Sequence, residues 1–176
     1  FERAGEGQDI LRTSVSYTLA AGANIETVQT TSQRSTTALT LIGNQLAQII
    51  QGNDGANIID GKAGDDILRG NGGRDTFRFT TALAGNGDHI VDFVSGTDKI
   101  ALENDVFRAL GNKAGVIGAG AFSLADAPAT QATRIVYNRE TGALSYDSDG
   151  LGGAAAVKFA TLNVGTALVA SDFLII

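Results

Sequence analysis

GNDGANIID GKAGDDILR GNGGRDTFR, residues 52–78, is a run of three nine-residue units that share one pattern. Glycine occupies the first and fourth positions of each unit, an amide or carboxylate the sixth, and a large apolar residue the eighth. The four columns contain Gly52, Gly61 and Gly70; Gly55, Gly64 and Gly73; Asn57, Asp66 and Asp75; and Ile59, Leu68 and Phe77. A single GxxGxD motif is equally typical of a surface turn, whereas four columns in register over three units indicate a structural repeat.

Each unit predicts a six-residue turn and a three-residue strand, in which the residue at position eight points inward and its neighbours point outward. Two units make one coil, and stacked coils form two parallel sheets with turns along both edges. Residues eighteen apart therefore lie above one another, which places Asn57 beside Asp75. Asp66 belongs to the other edge, where Asp88 is its best candidate partner. The predicted fold is all-β: a parallel β-roll followed by a β-rich C-terminal cap with one or two short helices.

The gap between facing turns is lined by oxygen atoms, from backbone carbonyls and from the side chain at position six. Such a cage suits calcium, which accepts about six to eight oxygen ligands in a flexible geometry. Asp92 and Asp98 follow the repeats and either close a last ion or cap turns. The candidate metal-binding residues are Gly52, Asp54, Asn57, Gly61, Ala63, Gly64, Asp66, Gly70, Gly72, Gly73, Asp75, Asp88 and Asp92.

Position two of the units contains Asn53, Lys62 and Asn71 in place of a second glycine. Turns whose carbonyls converge on an ion need left-handed backbone, which a β-carbon disfavours. Asparagine tolerates positive φ better than other non-glycine residues, so Lys62 is the exception among the three.

The composition of the 176-residue chain excludes several classes of protein. There is no cysteine, which excludes disulfide bonds and thiolate-ligated metals. The net charge is −6, and residues 52–105 contain ten acidic against five basic residues, an excess of five. This acidic segment repels itself without a cation, and it opposes nucleic-acid binding, which needs basic surface. The sequence contains no apolar run of about 18 or more residues, so it predicts no membrane-spanning helix.

Residues 1–51 are expected to continue the roll as degenerate coils with fewer ions. Strand-like runs at 14–19, 24–30 and 38–42 precede residues 43–51, where Gln48 stands in the acidic column. A glutamine carbonyl is a weaker calcium ligand than a carboxylate. Residues 4–12 also fit the template, with Gly5, Gly7, Asp9 and Leu11 at positions two, four, six and eight. The chain begins at Phe1 and contains no methionine, so we expect it to be a fragment whose upstream part covers the first coil.

The remaining two segments are the repeats, residues 52–79, and the cap, residues 80–176. In the cap, residues 84–93 restore a glycine turn and a strand with Ile90 inward, and residues 91–102 predict a strand, a turn and a strand. Residues 104–110 predict a short helix with Asn104 as N-cap and Gly111 as its stop, followed by a loop at 113–121. Residues 134–138 and 143–147 predict a hairpin, and residues 154–160 a strand. The DxDG sequence at 147–150 lacks the later ligands of an EF-hand loop, which favours a polar turn over a calcium site.

With these motifs, and with LSYDSDG at 144–150 and SDFLII at 171–176, the chain resembles the C-terminal RTX domain of type I secreted bacterial proteins, especially that of serralysin-type metalloproteases. The resemblance implies a domain that folds on extracellular calcium and is attached to an upstream domain. It also implies an uncleaved export signal read by an ABC-transporter complex. Asp172, Phe173, Leu174, Ile175 and Ile176 would belong to that signal, although a terminal edge strand also explains them.

No catalytic constellation is present, so we expect a non-catalytic domain. His89 is the only histidine and lacks an HExxH context, and no GxSxG motif occurs. The alternative function is a carbohydrate-binding module of the alginate type or an adhesive module. Its support is a modest basic strip formed by Arg69, Arg74 and Arg78.

Overall fold

A computed structural model of the chain describes residues 7–127 and 129–176. Part of the nonapeptide template predicted at residues 4–12, including residue 5, therefore lies outside the described residues. Sixteen short strands occur in the described part of the chain. They are β1 (Ile10–Thr13), β2 (Tyr17–Thr18), β3 (Thr27–Thr30), β4 (Thr40–Ile42), β5 (Ile49–Gln51), β6 (Ile58–Asp60), β7 (Ile67–Arg69), β8 (Thr76–Phe79), β9 (Asp88–Ile90), β10 (Lys99–Leu102), β11 (Gly115–Val116), β12 (Phe122–Leu124), β13 (Ile135–Tyr137), β14 (Ala143–Tyr146), β15 (Val157–Leu162) and β16 (Phe173–Ile175).

Strands β1 to β10 alternate between two sheets, as a roll requires. One sheet has the order β1-β3-β5-β7-β9-β15-β14-β13-β12, and the other β11-β16-β10-β8-β6-β4-β2. Pairs within the repeats are parallel and eighteen residues apart: Ile50 aligns with Leu68, and Ile59 with Phe77. The prediction of an all-β parallel roll is confirmed.

The apolar residue at position eight of each unit lies in a thin core between the sheets. Ile50, Ile59, Leu68 and Phe77 are each 0% exposed, and the core cluster continues into the cap through Ile90. Because each strand contributes only one such residue per coil, a coil cannot bury its apolar face alone and depends on the coils above and below it.

After the repeats, the spacing between stacked coils departs from eighteen in both sheets. Leu68 aligns with Ile90, 22 residues later, and Phe77 aligns with Ile100, 23 residues later. The extra residues lie in longer turns outside the sheets, so inward-facing residues remain stacked. The roll therefore extends through β9 and β10, beyond the segment that is periodic in sequence.

The structure differs from the prediction in one local feature of the N-terminal coils and in three of the cap. Residues 14–19 contain only the two-residue strand β2, and residues 91–93 form no strand. The helix predicted at 104–110 is a 3-10 turn at Arg108–Leu110, whose N-cap is Phe107 and not Asn104, and whose stop is Gly111 with φ +88°. The loop predicted at 113–121 contains β11 and a 3-10 turn at Ala119–Ala121. A third 3-10 turn, Ala170–Asp172, precedes β16.

The predicted hairpin and the C-terminal segment both join the roll sheets. β13 and β14 pair antiparallel, and β15 connects them to β9. The expectation of a terminal edge strand is wrong, because β16 lies between β10, to which it is parallel, and β11, to which it is antiparallel. No helix in the described ranges is long and apolar enough to cross a bilayer.

Candidate metal centre

Along one edge of the roll, the side chains at position six form a ladder across three coils. The backbone N–H of Gln48 donates to Asp66 Oδ1 at 2.7 Å. The backbone N–H of Asp66 donates in turn to Asp88 Oδ1 at 3.2 Å. The structure therefore brings together Asp66 and Asp88, the pair that the sequence predicted for this edge.

The opposite edge has the same arrangement. The backbone N–H of Asn57 donates to Asp75 Oδ1 at 2.8 Å, and the backbone N–H of Asp75 donates to Asp98 Oδ1 at 2.9 Å. Asn57 and Asp75 thus meet as predicted. Asp98 continues the ladder, although it was absent from the candidate set.

The sequence did contain a signal for Asp98. Asp98 is followed by one residue of any type and then by a buried apolar residue, Ile100. Asp66 is followed in the same way by Leu68. That local pattern survives the insertion that shifts the spacing from eighteen residues to 23.

Both glycine columns are explained by close approach. The side chain at position six folds back over the glycine at position one of its own unit: a β-carbon on Gly61 would lie 2.2 Å from Asp66 Oδ2, and one on Gly70 would lie 2.2 Å from Asp75 Oδ2. At position four the neighbour is backbone of the adjacent coil, since a β-carbon on Gly73 would lie 2.5 Å from the Gly55 carbonyl oxygen. These contacts leave no space for a side chain.

The repeat predicts left-handed backbone at position two, and the structure has it there in two of the three units. Lys62 has φ +75° and Asn71 has φ +69°, and they are the only non-glycine residues with positive φ in the described ranges. Asn53 is not among them. The Lys62 ammonium lies 3.1 Å from Asp60 Oδ2 and donates to Thr80 Oγ1 at 2.8 Å.

The ladder carboxylates are buried and their pKa values are raised. Burial raises the pKa of Asp66 to about 7 and that of Asp75 to about 6. Burial raises the pKa of Asp88 to about 8, and the charge of Asp66 adds to the shift. Burial also raises the pKa of Asp98. Because desolvation penalises a charged carboxylate, a bound proton or a nearby cation would stabilise these buried groups.

These residues fit a hard, oxygen-seeking cation. Asp66 Oδ2 and Asn57 Oδ1 are buried and accept no hydrogen bond, and a buried acceptor without a donor costs about 1–3 kcal/mol. In the described part of the chain, no three His, Cys, Asp or Glu side chains gather as a metal centre. The carboxylates of the two ladders would hold calcium together with turn carbonyls, which is the oxygen set that calcium prefers.

Three of the predicted metal-binding residues have other contacts. The Gly52 carbonyl accepts from Thr30 Oγ1 at 2.9 Å and from Asn71 Nδ2 at 2.7 Å, which uses both lone pairs. The Asp92 carboxylate accepts from the N–H groups of Gly70 and Asn71, and so caps that turn. Asp54 is exposed, and its carboxylate lies against Gly72 of the neighbouring turn, whose β-carbon would lie 3.3 Å from Asp54 Oδ1. We therefore leave the Gly52 carbonyl and the Asp54 and Asp92 carboxylates out of the proposed ligand set.

The other predicted metal residues lie in the stacked turns. Gly61 and Gly70 support the ladder carboxylates, Gly64 and Gly73 contact backbone of the neighbouring coil, and Gly72 lies near Asp54. The N–H of Ala63 donates to the Asn44 carbonyl of the coil before it.

Two further sequence features have structural explanations of their own. Asp147 Oδ1 accepts from the backbone N–H groups of Asp149 and Gly150, which is the geometry of the polar turn that the sequence predicts at DxDG. The predicted basic strip is not continuous, because Arg69 lies in β7 and Arg78 in β8, which belong to different sheets. Arg69 and Arg78 therefore do not share one sheet face, which weakens the support for polysaccharide binding.

Comparison with known families agrees with the geometry. A family model for the RTX calcium-binding nonapeptide repeat matches residues 42–77 in four copies. This span of 36 residues is four nonapeptides and includes the unit around Gln48. A comparison with curated proteins returns no match. Residues 42–77 are therefore RTX calcium-binding repeats, and the chain is built around an RTX β-roll.

Proposed function

We propose that this calcium-binding RTX domain is a folding switch for a larger secreted protein. The observation that carries the proposal is the stacking of Asp66 on Asp88, each 1% exposed. No basic side chain in the described part of the chain forms an ion pair with either carboxylate. Two buried like charges oppose folding, and a divalent cation bound only to the folded chain removes that opposition.

The switch follows from mass action. Where calcium is scarce, the acidic excess in residues 52–105 lowers the stability of the compact roll, so that the roll does not fold completely. Extracellular calcium modules bind at roughly 0.1–1 mM, so the same chain folds once it reaches a calcium-rich exterior. We propose an extracellular location on this basis.

We also propose that residues 172–176 belong to a type I export signal read by an ABC-transporter complex. In the folded domain Asp172 is 0% exposed, and β16 lies between two other strands. A transporter that reads this segment must therefore do so before the domain folds. The upstream domain that the switch serves, and the similarity to serralysin-type proteins, are part of the same proposal.

Calcium titration followed by circular dichroism, together with ion counting by mass spectrometry, tests the folding switch. We expect a cooperative gain of β structure in the range of roughly 0.1–1 mM calcium. Magnesium should not replace calcium, because it demands a tighter octahedral geometry. Equal folding in chelator and in calcium would refute the proposal.

Export requires a separate assay. A reporter fused to the N-terminus of this chain should leave cells that contain a type I apparatus, and deletion of residues 172–176 should retain it inside. A deletion of the same length in the exposed loop at residues 151–155 serves as the control. Equal export of the two deletions would contradict the signal.

A further inference from the structure

The cage between Asn57 and Asp75 contains a side-chain nitrogen among its oxygens. Asn57 Nδ2 donates to the Asn53 carbonyl at 2.9 Å, to the Gly55 carbonyl at 2.7 Å and to Asp75 Oδ1 at 3.1 Å. The Gly70 carbonyl oxygen lies 3.5 Å from the same nitrogen. One amide group thus faces four oxygens contributed by two stacked turns.

The orientation of this amide follows from its surroundings. The reverse orientation would aim Asn57 Oδ1 at three carbonyls and a carboxylate, and nothing at that point would donate a hydrogen bond. In the observed orientation the NH2 group faces all four oxygens, and only Asn57 Oδ1 lacks a partner. The residue is 1% exposed, so water does not complete its hydrogen bonding.

The cages farther along the chain differ in charge. Two carboxylates meet at the Asp66–Asp88 pair and two at the Asp75–Asp98 pair, whereas Asn57 and Asp75 contribute one. A donor NH2 cannot balance two buried negative charges, but it satisfies one carboxylate and the carbonyls around it.

We propose that the Asn57 amide fills its cage in place of a cation, so that the stacking of β6 on β8 does not require calcium. Calcium dependence is then concentrated at the Asp66–Asp88 and Asp75–Asp98 pairs. The part of the roll around Asn57 is then stabilised by side-chain hydrogen-bond donors, and the part that contains the two carboxylate pairs requires the ion. This inference rests on the proposed calcium switch and assigns its cation requirement to particular cages.

The variant Asn57→Asp tests the inference, because it replaces the donor by a second carboxylate of nearly the same shape. In chelator, we expect the backbone amides of β6 and β8 to exchange with deuterium at least about tenfold faster than in the wild type, since a network of buried hydrogen bonds is lost. With calcium, isothermal titration calorimetry and ion counting should show about one additional ion per chain. Gln33→Glu adds the same charge at an exposed position and should behave as the wild type.

Asn57→Ala provides a second variant in case the carboxylate prevents folding. It should lose the protection of β6 and β8 in chelator without gaining an ion. The inference is overturned if the wild type shows no protection of these strands in chelator. It is also overturned if Asn57→Ala retains that protection, or if folded Asn57→Asp binds no more calcium than the wild type. A wild type that neither binds calcium nor folds with it would instead refute the proposed switch.

Discussion

Asp66 lies directly below Asp88, and its backbone N–H donates a 3.2 Å hydrogen bond to a carboxylate oxygen of the later residue. The two residues are 22 positions apart, so this contact joins the last periodic units to the segment that follows them. A cation held here would stabilise β7 on β9, and β9 also pairs with β15 of the cap. Calcium binding and folding of the cap are therefore expected to be coupled.

Asp88→Asn should make the calcium-free domain more stable and the calcium response weaker. The substitution removes one of two buried like charges while keeping the shape of the side chain. At about pH 8 in chelator, we expect the free energy of unfolding to rise by about 1–3 kcal/mol. The calcium midpoint should move to higher concentration. Urea unfolding with and without calcium measures both effects, and Asp105→Asn, at an exposed position, should change neither.

Stability of the calcium-free domain should fall as pH rises. Burial raises the pKa of Asp66 to about 7 and that of Asp88 to about 8, from 3.8. Because the unfolded chain releases these protons near pH 4, the fold binds more protons than the unfolded chain between about pH 4 and pH 8. The protonated carboxyl groups therefore stabilise the fold fully below about pH 4. This contribution to the free energy of unfolding is lost as the pH rises to about 8, by up to about 1.4 kcal/mol per pH unit for each group.

Calcium should counteract this pH dependence, since a cation replaces the proton. Urea unfolding at about pH 5 and about pH 8, in chelator and in calcium, should show the largest calcium effect at the higher pH. Asp88→Asn should flatten the profile in chelator. A stability that rises with pH in chelator would contradict the assignment of these groups.

Asp98→Asn should reduce calcium binding more than Asp92→Asn does. Asp98 is 3% exposed and accepts from the backbone N–H of Asp75, whereas both oxygens of Asp92 cap the turn at Gly70. We expect Asp98→Asn to lower the number of bound ions by about one. Asp92→Asn should cost about 0.5–2 kcal/mol of stability with the ion count unchanged. Ion counting and thermal unfolding of the two variants together distinguish the roles.

Gly73→Ala should destabilise the roll. A β-carbon at this residue would lie 2.5 Å from the Gly55 carbonyl oxygen, and φ is +101°. Backbone strain and displacement of the adjacent coil together should cost about 2–4 kcal/mol. Gly118→Ala is the matched control, since no atom lies within 4 Å of its β-carbon and its φ is −60°. Similar melting temperatures for the two variants would contradict the close stacking of turns.

Asp172→Ala should release the C-terminal strand from the roll. The Asp172 carboxylate accepts from Ser95 Oγ at 2.6 Å, from the Gly96 N–H at 2.9 Å and from the Val169 N–H at 3.0 Å. Loss of these charge-assisted bonds should cost about 2–4 kcal/mol and speed hydrogen exchange in β16 and β10. Ser171→Ala, at the exposed neighbouring position, should leave exchange unchanged.

The repeats could be predicted because their structure depends on short-range features. Ile59, Leu68 and Phe77 point inward because strand geometry alternates side chains, and that alternation is local. The position of β16 could not be predicted in this way. The apolar run at the end of SDFLII predicts a strand, but the place of that strand between β10 and β11 depends on which sheet edges the rest of the chain leaves unpaired.

The nine-residue period alone was enough to establish the roll, its two glycine columns and the pairing of Asn57 with Asp75, because each follows from a local turn repeated at constant spacing. Only the tertiary structure established that Asp98 completes one ladder, that Asp92 caps a turn and that the Asn57 amide nitrogen faces the oxygens of its cage. Those outcomes depend on burial and on donors brought from distant coils. Stacking determines both, and the local sequence carries a signal for Asp98 only, in the acid that precedes a buried apolar residue by two positions.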